Sequence, residues 1–520
     1  MIPWTRRRIL GAAVATGGVA LAPLGTGLAQ DRAPALLRAS KQALVIGNSA
    51  YKDVPLKNPG NDAKGMAEAL KAAGFEVASG IDRTQAAMRD LIQTYIERLV
   101  KTKAVGVFYF AGHGTQLAWR NYVVPTDANI DNVEAIKERC IDINTLIEGI
   151  RSARNPMNII ILDACRDNPF GRQVQPDQKG LSQLDAPIGT FLAYATAPGN
   201  TAIDGEGDNG LYTGHLLREM KVPEAKIEDV FKRVRLAVRR ASNGQQIPWE
   251  STSLEDDFWF VPPSQLRKLA EAEREREFKL ELDLWEKIKT AAQPEPLEDY
   301  LRRYSGGRFS ELAQFRLDQV LASQGEKKIQ VISSSENPYS KGTAVADIRR
   351  KVGDGYTYRE SDLYTKLVIR TYTRTIAQIT DTEVIYDSGG RTDLLGNSLR
   401  TSYGAPSTGS QIWGVDYSVG KRWTSRHKTV SRTGVPVQVE FEVRVVAREK
   451  VTVPAGTFDA FVVEANGWAI GSGVNTRSES RRWIAPDQVR SELALEIFER
   501  SKEGRVVQSE RRELVSYQQA

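Results

Sequence analysis

Two kinds of hydrophobic pattern alternate between Gln42 and Pro262. Unbroken apolar, β-branched runs recur at ALVIGN (43–48), GVFYFA (106–111), NIIIL (158–162) and TFLAYATAP (190–198). A strand with one solvated face would alternate polar and apolar residues, so these runs read as strands buried on both faces. Amphipathic stretches lie between them. Asn61-Asp62 opens a helix with Met66, Leu70 and Ala73 on one face, closed by Gly74. Met88, Leu91, Tyr95 and Leu99 mark a second helix over about 84–101, DINTLIEGIRSA a third, and further helices follow at about 210–221 and 227–242. Strands and helices in this order predict an α/β unit over residues 38–262, a mainly parallel sheet flanked by helices.

The pattern then changes twice. QLRKLAEAEREREFKLELDLWEKIKTAAQ is dense in charge and in strong helix formers, without a heptad seam, and reads as a solvated connecting helix. LEDYLRRYSGG and RFSELAQFRLDQVLA add two short helices, the first stopped by Gly306-Gly307, so residues 263–325 form a helical module. After a polar linker over 326–342, Val437, Val439, Phe441, Val443 and Val445 alternate with Gln438, Glu440, Glu442 and Arg444. That period of two is a half-buried antiparallel strand, and similar segments predict an all-β domain over 343–520. Trp413, Trp423, Trp468 and Trp483 are candidates for a ligand groove there, although aromatic residues in such domains are more often core.

Two of the buried runs break at a chemically useful side chain. GVFYFAGHG delivers His113 and NIIILDACRD delivers Cys165, in a chain with only three histidines and two cysteines. Cys165 follows His113 by 52 positions. A thiol of ordinary pKa, ~8.5, is only a few per cent thiolate near neutrality, and the thiolate is the nucleophile. An imidazole within reach activates it and then protonates the leaving amine, worth roughly 10²–10⁴-fold. The backbone N–H groups of Cys165 and Gly114 are candidate donors to the oxyanion, with Gly112 and Gly114 leaving room beside the histidine. The structural alternative is a core cysteine and a packed histidine. Cys140 reads as a small buried hydrophobe, since a disulfide with Cys165 would consume the nucleophile.

Composition narrows the picture. Hydrophobic residues make up 41% of the 520, ordinary for a soluble chain of two or three domains. TRRRILG, the mildly apolar stretch Ile9 to Leu24 and Gly27-Leu28-Ala29 resemble a twin-arginine export signal over residues 1–29. Cleavage after Ala29, a periplasmic location and no remaining transmembrane span are expected. Removing Arg6, Arg7 and Arg8 lowers the net charge from +6 to +3, and no basic run with interleaved aromatics suggests nucleic acid. No cysteine or histidine spacing suggests zinc, and no cofactor is expected.

LKNPGNDAKGMAEALKAAGFEV, FYFAGHG, IILDACRDNPF and FLAYATAPGNTA together resemble the caspase-like fold of caspases, metacaspases and bacterial caspase homologues, over about residues 40–262. The resemblance implies a cysteine endopeptidase acting on protein or peptide substrates. It also implies a specificity pocket. Asp163, two residues before Cys165, and Asp62 in GNDAKGM match the metacaspase pattern, in which a carboxylate pair holds Arg or Lys before the scissile bond. The alternative is a basic pocket for acidic residues built on Lys57 or Arg166. Structural readings of the two acids are a helix N-cap for Asp62 and a structural hydrogen bond for Asp163. Related peptidases also mature by cutting after the nucleophile, which singles out Arg172 and Lys179 in GRQVQPDQKGLSQLDAP (171–187) as self-cleavage candidates beside the alternative of an uncut loop. Calcium activates some metacaspases, but DGEGDNG (204–210) misplaces its glycine and has His215 where a calcium loop needs Glu, so no ligand set is carried over.

Two other classes compete with an active peptidase: a non-catalytic, peptide-binding envelope scaffold, and another hydrolase or transferase using the same Cys–His pair. VTVPAGTFDAF and RRWIAP resemble bacterial envelope β-domains, which implies an envelope partner for residues 343–520 and no activity of their own.

Overall fold

Within the apolar run Val105–Ala111 every residue is buried, and its alternate side chains enter two different cores. Val105, Val107, Tyr109 and Ala111 join one cluster, Phe108 and Phe110 the other. Strand pleating sends successive side chains to opposite faces, so an unbroken hydrophobic run marks a strand with a core on each side. This computed structural model describes residue 36 and residues 39–519, apart from 165–169, 171–179, 201, 203–206, 264–270, 327–335, 402–403 and 432–433.

The strands of the first unit are β1 (Lys41–Gly47), β2 (Glu76–Ile81), β3 (Val105–Ala111), β4 (Gly114–Leu117), β5 (Arg120–Val123), β6 (Ile141–Asp142), β7 (Asn158–Asp163), β8 (Thr190–Tyr194) and β9 (Trp249–Thr252). The main sheet runs β2-β1-β3-β7-β8-β9. Its first five strands are parallel, and β9 closes it antiparallel to β8. Helices Pro59–Ala72, Leu211–Glu219 and Ile227–Ala241 cover one face, Gln85–Thr102 and Ile143–Ala153 the other. Truncating a fully buried side chain such as Phe108 costs about 3–5 kcal/mol.

This is the α/β architecture that the alternating pattern predicts, with differences of detail. β2, β9 and the small antiparallel sheet β4-β5-β6 are short and partly polar, so their periodicity is weak. The run 190–198 is strand only to Tyr194. Beyond it Ala195 donates to the Leu162 carbonyl and the chain turns away. The first helix begins at Pro59, two residues before Asn61, because proline suits a position whose N–H has no intrahelical acceptor.

Helices Glu271–Ile288, Pro294–Arg303 and Ser310–Ser323 pack around Trp285, Leu297, Tyr300 and Leu317, with Trp285 stacked on Phe309 at 5.4 Å. The C-terminal part is a 12-stranded antiparallel sheet. Its two edge strands, Ser398–Arg400 and Ser407–Thr408, are joined by a bridge between Arg400 and Pro406 and by the Thr401 N–H donating to the Ala405 carbonyl at 2.9 Å. The sheet thereby curls almost into a barrel, which removes open edges that would otherwise pair with other chains. Trp423 and Trp483 belong to two different cores, Trp413 packs beside the first, and Trp468 is 42% exposed. The four tryptophans therefore line no common groove. No described helix is long and apolar enough to cross a membrane.

Candidate active site

β3 and β7 are neighbours in register, with Ala111 opposite Asp163. The two chains therefore leave the sheet side by side at its carboxyl edge, one through Gly112-His113-Gly114 and the other through Ala164. Cys165, the next residue, lies outside the described residues, as do Arg166, Arg172 and Lys179.

The glycines flanking His113 answer two close approaches. Gly112 has φ +154°, and a Cβ there would lie 2.6 Å from the Tyr51 hydroxyl. A Cβ on Gly114 would lie 2.2 Å from the Ala164 carbonyl oxygen, so the histidine loop packs directly on the peptide before Cys165. Only glycine permits both contacts.

His113 is buried and held on several sides. Its N–H donates to the Tyr51 hydroxyl at 3.0 Å, and its carbonyl accepts from the Val124 N–H at 3.0 Å. Tyr51 in turn donates to the Val124 carbonyl at 3.0 Å, and its ring lies 4.4 Å from the imidazole. Burial pushes the Tyr51 phenol far above its usual range, so it stays a neutral donor. Nε2 of His113 lies 2.8 Å from the Val54 carbonyl oxygen. A carbonyl can only accept, so Nε2 carries a proton, and in the neutral imidazole Nδ1 holds the lone pair. Tyr51 and Val54 have no signal in the sequence. Tyr51 lies in an irregular loop, and Val54 acts through its backbone.

Asp62 and Asp163 come together at one helix. Asp163 Oδ2 accepts from the Thr213 hydroxyl at 2.8 Å. The Thr213 and Tyr109 hydroxyls are 2.6 Å apart, and since the Thr213 proton goes to Asp163, Tyr109 is the donor between them. Asp62 Oδ1 accepts from the Gly210 N–H at 2.9 Å and from Asn209 Nδ2 at 3.0 Å. Gly210 is the N-cap of Leu211–Glu219 and Thr213 lies in its first turn, so both carboxylates face the positive end of that helix dipole. The N-cap expectation for Asp62 changes accordingly. Asn58 occupies that position in its own helix, and Asp62 serves a helix almost 150 residues away. Both carboxylates are buried, and Lys57, the basic alternative, is exposed.

Cys140 is buried among Tyr51, Leu117 and Ile136, and burial pushes its thiol up to about 12, which leaves it unreactive near neutrality. Among the described residues no group of three or more His, Cys, Asp or Glu is placed to hold a metal ion. Asp204 and Glu206 of the calcium-like loop lie outside the described residues.

Residues 40–259 match the family model described as Caspase domain. The chain is also similar to mucosa-associated lymphoid tissue lymphoma translocation protein 1 of Homo sapiens, 28% identical over 187 residues, which is 36% of this chain and 22% of that protein. Its Mus musculus homolog gives 28% identity over 187 residues, 36% of this chain and 21% of its own. The match thus spans about a fifth of these curated relatives.

Proposed function

From a caspase-like domain of a cysteine peptidase family, we propose that this protein is an active endopeptidase in which Cys165 and His113 form a catalytic dyad and cleavage follows Arg or Lys. The observation that carries the reading is the Val54–His113 contact, which leaves Nδ1 as the basic nitrogen at the strand end beside the one leading to Cys165. His113 takes the Cys165 proton, and the thiolate sulfur bonds to the scissile carbonyl carbon. The resulting oxyanion accepts from the backbone N–H groups of Gly114 and Cys165. The imidazolium then protonates the departing amine as the C–N bond breaks. Water, deprotonated by His113, hydrolyses the thioester and returns the thiol.

Asp62 and Asp163 support the preference for a basic residue. Each carboxylate offers about four lone-pair sites. The hydrogen bonds from Asn209, Gly210 and Thr213 orient the groups, and a pair of carboxylates suits a guanidinium or ammonium by charge. A second reading, specificity for acidic residues through Lys57 or Arg166, is favoured by the same bonds, because they give both aspartates a structural task. A panel of fluorogenic peptides with Arg, Lys, Asp or a neutral residue before the cleaved bond, run on wild type and Cys165→Ala, tests both. Cleavage after Asp rejects the carboxylate pocket, and equal activity in Cys165→Ala rejects the mechanism. The leader over residues 1–29 supports action in the periplasm, with the β-rich part carrying an envelope partner.

A further inference from the structure

The chain between the helical module and the β-rich part returns to the peptidase unit. Residues 337–343 run along the segment 181–186, which leads into β8. Asp185 accepts from the Ser340 hydroxyl at 2.9 Å and the Lys341 N–H at 2.8 Å, and its own N–H donates to the Tyr339 carbonyl at 3.0 Å. Asn337 Nδ2 donates to the Gln183 carbonyl at 2.8 Å. This is a continuous ladder of bonds.

On its other side the same segment grips the hairpin that follows His113. Asn121 of β5 exchanges two bonds with Ser182: its Nδ2 donates to the Ser182 carbonyl at 2.9 Å, and its Oδ1 accepts the Ser182 N–H at 2.7 Å. Tyr339 spans both layers. Its carbonyl holds Asp185, and its phenol oxygen accepts from Arg120 Nη1 at 2.9 Å, while Arg120 Nε donates to Asp142 at 2.7 Å. Arg120 begins β5, the partner of β4, and β4 begins at Gly114, which packs on the Ala164 carbonyl.

We propose that residues 337–343 are a cis-acting strap that holds the two walls of the catalytic centre against each other, with Tyr339 and Asp185 as positioning residues for the His113–Cys165 pair. The inference rests on the peptidase reading above. The strap pins the hairpin carrying Gly114 to the segment downstream of Cys165. A small drift between those walls would lengthen the approach of imidazole to thiol and misplace the Gly114 N–H, which lowers turnover more than peptide binding.

The test uses the full chain in a Cys140→Ser background, so that Cys165 is the sole thiol. Tyr339→Phe removes only the phenol, Asp185→Ala the whole acceptor, and Asp185→Asn keeps one acceptor oxygen. For each, kcat and KM are measured on the best peptide of the panel, together with the pH dependence of Cys165 alkylation by iodoacetamide and the melting temperature. The expected result is a kcat about tenfold lower in Tyr339→Phe and Asp185→Ala with KM within about twofold, slower alkylation near pH 7, and partial recovery in Asp185→Asn. Unchanged kcat and alkylation in folded variants overturn the strap. So does a loss that merely tracks the unfolded fraction. If wild type cleaves no peptide, the peptidase reading fails on its own, and the alkylation profiles alone decide the strap.

Discussion

At the scale of single residues the arrangement around His113 makes sharp demands. If Nδ1 and the Cys165 sulfur act as one unit, as proposed, His113→Ala and Cys165→Ala should each abolish peptide cleavage, and the double variant should be no worse than either. Kinetics on the folded variants check this. Tyr51→Phe tests the support behind the histidine. It strips a buried N–H of its acceptor, a change that costs about 1–3 kcal/mol, so denaturant unfolding should show a loss of that size with lower activity. For the acidic pair, Asp163→Asn and Asp62→Asn should each cut kcat/KM for Arg or Lys peptides by about 10²-fold, with a stability loss of only about 0.3–1 kcal/mol from the weakened helix anchoring. Equal kcat/KM in those variants would leave the two carboxylates only their helix-anchoring task. The candidate residues themselves were legible in the sequence, because apolar strands that end at His113 and at Cys165 point to one sheet edge. Their supports were not. Val54 contributes a backbone oxygen, and Thr213 reaches Asp163 across 50 positions of sequence.

At the scale of elements, the approach of the β4 loop to the end of β7 is the critical contact. Gly114→Ala should destabilise the unit by roughly 1–3 kcal/mol, as overpacking does, and lose most activity, since the added carbon meets the Ala164 carbonyl. Calorimetry and peptide turnover separate the two effects. The interval containing Arg172 and Lys179 follows directly from β7. If it is cut, intact mass should show two fragments in wild type and one chain in Cys165→Ala. Because Ser182 is bonded to Asn121 and Tyr339 to Arg120 across any such cut, the fragments should stay associated without denaturant. A single intact mass in an active wild type would show that nicking is not required.

At the scale of the molecule, helix Ile227–Ala241 is the joint. Its Arg239 pairs with Asp318 and Glu326, Arg240 with Glu298, and Glu228 with Arg422 of the β-rich part. Gly420 lies so close to β9 that a Cβ would overlap the Thr252 carbonyl. Further along the same part of the chain, His427 packs on Phe441, and burial with Arg308 beside it lowers its pKa from the ordinary 6.5 to about 4. Between those values the unfolded chain binds the proton that the folded one refuses, so stability is full above pH 6.5 and falls towards pH 4. His427→Gln should make that fall shallower, by an amount on the order of 3 kcal/mol at pH 4, in melting curves recorded across the range.

Local pattern was enough to specify the buried strands, most of the helices and the two strand ends where chemistry is expected. A residue's place in a strand or helix follows from backbone geometry over a few neighbours, and hydrophobic period reports that geometry directly. Folding in three dimensions decided the rest: the Val54 carbonyl that sets the His113 tautomer, the shared helix end that gathers Asp62 and Asp163, the near-closure of the 12-stranded sheet, and the return of residues 337–343 to the caspase-like unit. Each joins groups that are distant in sequence or act through the backbone. Such pairings are selected by packing and by the need to satisfy buried polar groups, and neither leaves a periodic trace along the chain.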